Sequence, residues 1–199
     1  MRIAVSANAS RELRVTNAGR AAAAVEVERA GFALDLRGRP KIVSRRDAAM
    51  LRVSPRRLVL RPGETALVTV SSIRAPNAAP GDHPALVLLT TRPTRGPAVS
   101  VSLRLGVLVV VRIPGAIIHR LTLIGVRTIR GHIEVRLANR GNVVESVRVI
   151  VRAGGRPVAR VRRDLLPRSK ALFALRARAG TLEVRSGARV LRRTLRIRR

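Results

Sequence analysis

Apolar side chains recur at every second position along most of this chain, and this alternation constrains its fold more than any other feature. Gly, Pro and Asn separate the alternating segments at the short intervals typical of a β-sandwich. Such alternation is the pattern of half-buried β-strands, and helical periodicity is almost absent. The pattern therefore predicts an all-β protein, with strands at "TALVTVSS" (65–72), "AVSVSLRLGVLVVVRI" (98–113), "HIEVRLAN" (132–139), "SVRVIVRAGG" (146–155), "ALFALRARAG" (171–180) and "TLEVRSGARVLRRTLRIRR" (181–199).

The chain also repeats itself. "LRVTNAGRAAAAVEV" (13–27) aligns without a gap on "VRLANRGNVVESVRV" (135–149), so that Asn17 coincides with Asn139 and Gly19 with Gly141. Two further landmarks follow in the same order, Gly-Arg-Pro at 38–40 and 155–157, then "LRPGETALVTV" (60–70) and "LPRSKALFALRA" (166–177). The repeat predicts two tandem β-sandwiches, residues 1–115 and 116–199, divided at the strand-breaking Pro114-Gly115.

The repeat also bears on local structure. The alanine-rich "GRAAAAVEVERAG" (19–31) has high helix propensity, but its repeat partner alternates as a strand. We therefore predict a strand for both. We expect Asn17-Ala18-Gly19 and Asn139-Arg140-Gly141 to form turns, because Asn and Gly tolerate left-handed backbone.

The charge is extreme. The chain has 41 Lys and Arg against 11 Asp and Glu, a formal net charge of +30, and only Lys41 and Lys170 are lysine. Guanidinium groups chelate phosphate and carboxylate, so the charge favours an anionic partner such as nucleic acid, teichoic acid, acidic glycan or a phospholipid surface. Codon usage in a genome rich in G and C, with arginines merely solvating the outer strand faces, is the competing and favoured explanation. The candidate residues for an anionic partner are in the basic tail "VLRRTLRIRR" (190–199), namely Arg192, Arg193, Arg196 and Arg198.

Nucleic acid is the weaker choice among these anions. Single-strand binders stack bases on aromatic residues, and duplex readers usually present a helix to a groove. This chain has two Phe, no Trp and no Tyr. Its tail also alternates like a final strand with a basic outer face. A nonspecific nucleic-acid binder therefore remains only an alternative, and no specific nucleic acid is expected.

Residues for catalysis or metal binding are not found in any recognisable spacing. Cysteine is absent, which removes disulfides, thiolate metal sites and cysteine nucleophiles, and an antibody-type core as well. His83, His119 and His132 lie too far apart in sequence to suggest a metal site. Glu26 and Glu28 share a strand face where arginines would neutralise them. We expect no enzyme, no metal and no cofactor.

The beginning of the chain, "MRIAVSANASRELRV", lacks the basic start and apolar segment of a secretory signal. The longest apolar run, Leu105–Val111, is far shorter than the roughly 20 residues of a spanning helix. We expect no transmembrane segment. The abrupt opening inside a strand favours a start that is internal or truncated.

Residues 51–91, closed by "SLRLGVLVVVRIPG" (102–115), resemble the peptidoglycan-binding domain of WxL-interacting proteins, an immunoglobulin-like module of Gram-positive cell envelopes. With "LRVTNAG", the resemblance covers essentially all of residues 1–115. It is carried by Ser54-Pro55, Pro62-Gly63-Glu64, Pro80-Gly81-Asp82 and the strand from Gly106-Val107 to Pro114-Gly115. The resemblance implies two tandem immunoglobulin-like sandwiches at the bacterial cell surface or cell wall. They would form a noncatalytic envelope module contacting an anionic wall polymer or a surface protein.

A second resemblance is to periplasmic pilus chaperones, which also consist of two immunoglobulin-like domains. The alternating last strand of the first domain, here "GVLVVVRIP" (106–114), could be lent to an incomplete subunit by strand addition. The candidate residues for such an edge are Val107, Val109 and Val111. An apolar core strand is the competing explanation for the same residues. The ligand, the oligomeric state and the anchoring stay open.

Overall fold

The computed structural model describes residues 2–43, 50–73, 77–93, 103–129, 131–177, 179–187 and 189–195. In these ranges the regular structure is entirely β. No helix of the described chain has the length and apolar character needed to cross a membrane. The strands are β1 (Arg2–Ser6), β2 (Ser10–Thr16), β3 (Ala23–Leu34), β4 (Pro40–Val43), β5 (Leu51–Ser54), β6 (Arg57–Leu60), β7 (Thr65–Ser72), β8 (Gly81–Pro93), β9 (Leu103–Ile113), β10 (Leu121–Ile129), β11 (His132–Asn139), β12 (Glu145–Ala153), β13 (Arg156–Leu165), β14 (Lys170–Arg176), β15 (Gly180–Ser186) and β16 (Arg189–Leu195).

The chain divides into two compact units, and each is an immunoglobulin-like β-sandwich. The first unit contains 1–33 and 42–115, and the second contains 34–41 and 116–199. Segment 34–41 belongs to the second unit, where the Leu36 carbonyl accepts a 2.6 Å hydrogen bond from the Leu172 amide. The prediction of an all-β protein made of two tandem immunoglobulin-like sandwiches is confirmed.

The first sandwich packs a large sheet against a small one. The large sheet has the order β1-β9-β8-β3-β4, with β6 also paired to β3, and the small sheet has the order β2-β7-β5. The β1–β9 pair is parallel, whereas β9 pairs with β8 antiparallel. Branched aliphatic side chains from both sheets fill the space between them, among them Leu13, Val27, Val68, Val87 and Val109. Such side chains pack well on a pleated surface, which is why a core almost without aromatics suffices here.

The second sandwich has sheets of the order β10-β11-β14 and β13-β12-β15-β16. Its core surrounds Phe173, which is fully buried on β14. Every second residue of β12, Val147, Val149 and Val151, faces this core with no exposed surface. The intervening residues of β12 must face outward, because successive side chains of a strand point to opposite faces.

Asn17 links the two sheets of the first sandwich through its side chain. It follows the last residue of β2 in the small sheet. Its Nδ2 donates hydrogen bonds to the carbonyls of Ala21 (2.8 Å) and Leu60 (2.9 Å), beside β3 and β6 of the large sheet. Its Oδ1 accepts from the Gly19 amide at 2.9 Å. One amide side chain thus satisfies three backbone groups where the chain crosses from sheet to sheet.

Asn139 makes the same three hydrogen bonds in the second sandwich. Its Nδ2 donates to the carbonyls of Val143 (2.7 Å) and Leu165 (3.2 Å), and its Oδ1 accepts from the Gly141 amide at 2.9 Å. Asn139 has no exposed surface, whereas Asn17 is half-buried. The repeated sequence therefore encodes a repeated set of hydrogen bonds between sheets, which we call the asparagine corner.

The backbone of these corners differs from the prediction. Neither the asparagines nor Gly19 and Gly141 adopt positive φ, so the expectation of left-handed turns is wrong. Gly141 is needed for space instead, since a Cβ there would lie 2.1 Å from the Ile118 carbonyl oxygen. At Gly19 the nearest atom to such a Cβ is the Asn17 Oδ1, at 3.0 Å. The predicted strand over the alanine-rich window is confirmed by β3.

The two corners give a matched prediction about stability. Asn139→Ala leaves two buried carbonyls and one amide without the partners they have now. It should lower the free energy of unfolding by roughly 2–4 kcal/mol. Asn17→Ala should cost about half as much, because water reaches that corner. Urea denaturation of both variants measures the difference, and a larger loss for Asn17→Ala would contradict the role assigned to burial.

Candidate functional site

Strand β9 has an unequal pair of neighbours. Strand β8 pairs with it along its whole length, from Leu103 opposite Thr91 to Ile113 opposite Gly81. On its other side β1 pairs only with Leu108 to Arg112. Among the described residues, the segment from Leu103 to Val107 therefore has a strand on one side only. We call this segment the open edge.

The side chains of the open edge continue the core row of β9 beyond the core. Val107, Val109 and Val111 face the interior and are 6%, 0% and 1% exposed. Leu103 and Leu105 lie on the same side of the strand by alternation, yet they are 53% and 51% exposed. An exposed apolar edge of this kind is where another chain can add a strand.

The opposite end of β9 is fastened to β8. Arg112 lies directly across from Asp82, and its Nε and Nη2 both donate to the carboxylate, the second at 2.9 Å. The hydrogen bond to Asp82 raises the pKa of Arg112 above its usual value. Because Asp82 is 6% exposed, this bidentate pair fixes the register of the two strands at the closed end.

The valines proposed as a strand-addition edge are therefore divided between two environments. Val107 belongs to the open edge, although its side chain is in the core. Val109 and Val111 are covered by β1, where Ile3 lies opposite Val109 and Val5 lies opposite Val111. Sequence reasoning missed Leu103 and Leu105, because alternation alone does not reveal where β1 stops.

The arginines proposed for an anionic partner lie on or beyond β16. The Nε of Arg192 is 3.6 Å from Oε2 of Glu183, and Arg193 is exposed opposite Leu182. Arg196 and Arg198 lie outside the described residues. The structure thus places Arg192 beside a buried carboxylate that no sequence pattern connected to it.

The histidines lie in separate surroundings. The Nε2 of His83 is 2.8 Å from the carbonyl oxygen of Ala79, and His132 is exposed at the start of β11. His119 contacts Glu145, with 2.9 Å between Nδ1 and Oε1. In the described part of the chain, no three His, Asp or Glu residues form a group that could hold a metal ion.

Glu145 joins two groups that are distant in sequence. Besides His119, it accepts a hydrogen bond from the Ser186 hydroxyl, and both Glu145 and Ser186 are buried. A serine nucleophile needs its base in direct contact with the hydroxyl. Here the carboxylate lies between the hydroxyl and the imidazole. The arrangement ties the segment before β10 to β12 and β15, and the His119 imidazole does not reach the buried Ser186 hydroxyl.

The depression of about 680 Å³ on the first sandwich has charged walls. Its charged lining residues are Glu26, Glu28, Arg29, Arg52, Arg56 and Arg57. Glu26 lies directly opposite Arg57 across the β3–β6 pair. Arginines therefore lie near both glutamates, with Arg57 directly opposite Glu26, and their neutralisation of the pair stays a prediction.

Three solved structures are similar to nearly the whole chain. A chain of the CsuC–CsuE chaperone–tip adhesion subunit pre-assembly complex, from the archaic chaperone–usher Csu pili of Acinetobacter baumannii, has a TM-score of 0.62 at 15% identity, covering 95% of this chain and 93% of that one. The CupB2 chaperone of Pseudomonas aeruginosa has a TM-score of 0.61 at 16% identity, covering 98% and 97%. A chain of the Salmonella enterica SafA pilin in complex with the SafB chaperone has a TM-score of 0.63 at 13% identity, covering 98% and 93%. No protein-family model and no curated protein sequence matches this chain.

These neighbours overturn the first resemblance. The resemblance to WxL-interacting, peptidoglycan-binding proteins is wrong, and so is the main interpretation drawn from it, a cell-wall module whose partner is an anionic wall polymer. The similarity to chaperone structures extends over both sandwiches, whereas the WxL-interacting resemblance rested on residues 1–115. The predicted location at the cell wall rested on the same resemblance, so nothing supports the cell wall specifically.

The residues behind the wrong resemblance are explained by turn geometry. Gly63 has a φ of 75°, and the Glu64 carboxylate accepts a 2.7 Å hydrogen bond from the Arg61 amide. Gly115 has a φ of 135°, and a Cβ there would lie 2.5 Å from Pro80. Sandwiches of many functions need such turns, so these residues carried fold information and no functional information.

Two truncations on β9 test the boundary between its core and its open edge. Val109→Ala removes fully buried methyl groups and should lower the free energy of unfolding by about 2 kcal/mol. Leu105→Ala removes a larger but half-exposed side chain and should change it by less than about 0.5 kcal/mol. Chemical denaturation compares them, and an equal loss for both would place Leu105 in the core.

Proposed function

We propose that this protein is a noncatalytic chaperone that binds a pilus subunit by β-strand addition. The observation that carries the proposal is the open edge, where Leu103 and Leu105 are half-exposed on the same side of β9 as the buried Val107, Val109 and Val111. Two of the similar structures contain a chaperone together with a tip adhesion subunit or a pilin. The partner is thus a protein with an incomplete sheet, and the expected location is the periplasm.

The binding chemistry is that of a sheet gaining a strand. The backbone N–H and C=O groups of the open edge would pair with an edge strand of the subunit and give affinity independent of its sequence. Leu103 and Leu105 would enter the core of the subunit, while Arg104 and Gly106 face the other way. Burying the exposed half of each leucine would contribute roughly 1 kcal/mol apiece.

The open edge is held ready by the rest of β9. Its pairing to β8 is continuous, so the segment is extended before any partner arrives. Val107 and Val109 hold the following residues in the core. A preformed strand loses less conformational entropy on binding than a flexible one, which favours a stable complex.

Substitution of the two exposed leucines tests the proposal. Leu103→Ser combined with Leu105→Ser keeps the backbone but removes the side chains that would enter the subunit. Co-purification with a pilin-like subunit encoded beside the gene should fall at least about tenfold, by the loss of roughly 2 kcal/mol or more.

Leu67→Ser is the matched control, since Leu67 is 48% exposed on β7 of the same sandwich. This variant should retain the complex at the wild-type ratio. A complex that persists in the double variant, or a wild-type chain that captures no subunit, would refute strand addition at this edge.

A further inference from the structure

The outer face of the β13-β12-β15-β16 sheet is covered with arginine. Directly opposed residues of paired strands share a face, and the registers place six arginines on the side away from the core. Together they form what we call the arginine face: Arg148, Arg152, Arg160, Arg162, Arg185 and Arg192.

Three of these arginines lie side by side. Arg148 of β12 is directly opposite Arg162 on one neighbouring strand and Arg185 on the other. Like charges directly opposite each other destabilise a sheet. Glu183 already neutralises Arg185. An anion bound beside Arg148 and Arg162 would relieve the repulsion that remains.

A carboxylate already occupies one end of the arginine face. Glu183 is 3% exposed, accepts a hydrogen bond from Arg185, and has Oε2 3.6 Å from the Nε atoms of both Arg152 and Arg192. The hydrogen bond from Arg185 lowers the pKa of Glu183. The face thus binds one carboxylate of its own chain. Its other acid is Asp164, which lies opposite Ser146, so the six arginines leave an excess of positive charge.

The face also has an apolar floor. Two depressions, of about 530 Å³ and about 500 Å³, meet at Arg152. Ile150 and Pro157 lie in the second, among Arg148 and Arg160. Ile150 points away from the core yet is only 7% exposed, because arginine stems can cover apolar surface while their charged ends stay in water.

We infer that the arginine face docks an acidic polypeptide segment that carries an apolar side chain between its carboxylates. The guanidinium row provides paired donors for carboxylates. Pro157, exposed beside Ile150 in the second depression, offers apolar surface to an aliphatic group, which a phosphate polymer does not carry. Glu183 shows the carboxylate chemistry that this face accommodates. The surface belongs to the second sandwich and is independent of strand addition at β9.

A peptide titration tests the docking surface. The probe is a fluorescein-labelled peptide of alternating Glu and Leu, measured by fluorescence anisotropy at 150 mM salt, where long-range attraction to the net charge is largely screened. Arg148→Gln, Arg160→Gln and Arg162→Gln, combined, should weaken binding at least about tenfold, which corresponds to about 1.4 kcal/mol.

The matched control removes the same charge from β11, β14 and the loop that follows β11 in the same sandwich. Arg136→Gln, Arg140→Gln and Arg176→Gln concern exposed arginines and should change the dissociation constant less than about twofold. Equal weakening in both triple variants, or no binding by the wild type, would overturn the inference. Stronger, face-dependent binding to phosphatidylglycerol vesicles than to the peptide would overturn the choice of a polypeptide partner.

Stability provides a second readout. Arg148→Gln relieves the like-charge row and should raise the Tm by about 1–3 °C. Arg136 has no arginine directly opposite, since Gly125 and Leu172 occupy those positions. Arg136→Gln should therefore leave the Tm unchanged. A fall in Tm for Arg148→Gln would contradict the repulsion on which the inference depends.

Discussion

The asparagine corner is the interaction on which the two sandwiches depend. A β-sandwich must carry its chain from one sheet to the other, and the crossing leaves backbone groups without ladder partners. Asn17 and Asn139 satisfy three such groups each, at equivalent places in the two sandwiches. Val25 and Val147, each eight residues after its asparagine, then lie on the core-facing rows of β3 and β12.

The sequence was informative wherever one face of a strand is buried. Alternation predicted the strands, and the repeat predicted two sandwiches. The repeat also favoured a strand over a helix for the alanine-rich window, which is β3 in the structure. The left-handed turns were mispredicted, because the role of Asn is carried by its side chain and the role of Gly141 by contact with Ile118. Residue type alone does not distinguish these causes.

The functional surfaces were harder to predict, because they depend on which strands are neighbours. Leu103 and Leu105 continue the same apolar row as Val107, and only the extent of β1 separates an open edge from a core strand. The arginine face needs the register of four strands before its opposed charges appear. The two surfaces use different chemistry, since the open edge would bind through backbone and apolar groups and the arginine face through charge.

Amide hydrogen exchange tests strand addition most directly. In the free protein, the amides of Leu103 to Val107 that do not donate to β8 should exchange rapidly, whereas those of Val109 and Val111, between β1 and β8, should be protected. In a complex with a pilus subunit, the same open-edge amides should become protected by at least about a hundredfold, an opening free energy of about 2.7 kcal/mol. Unchanged exchange at Leu103 to Val107 in a stoichiometric complex would contradict the account.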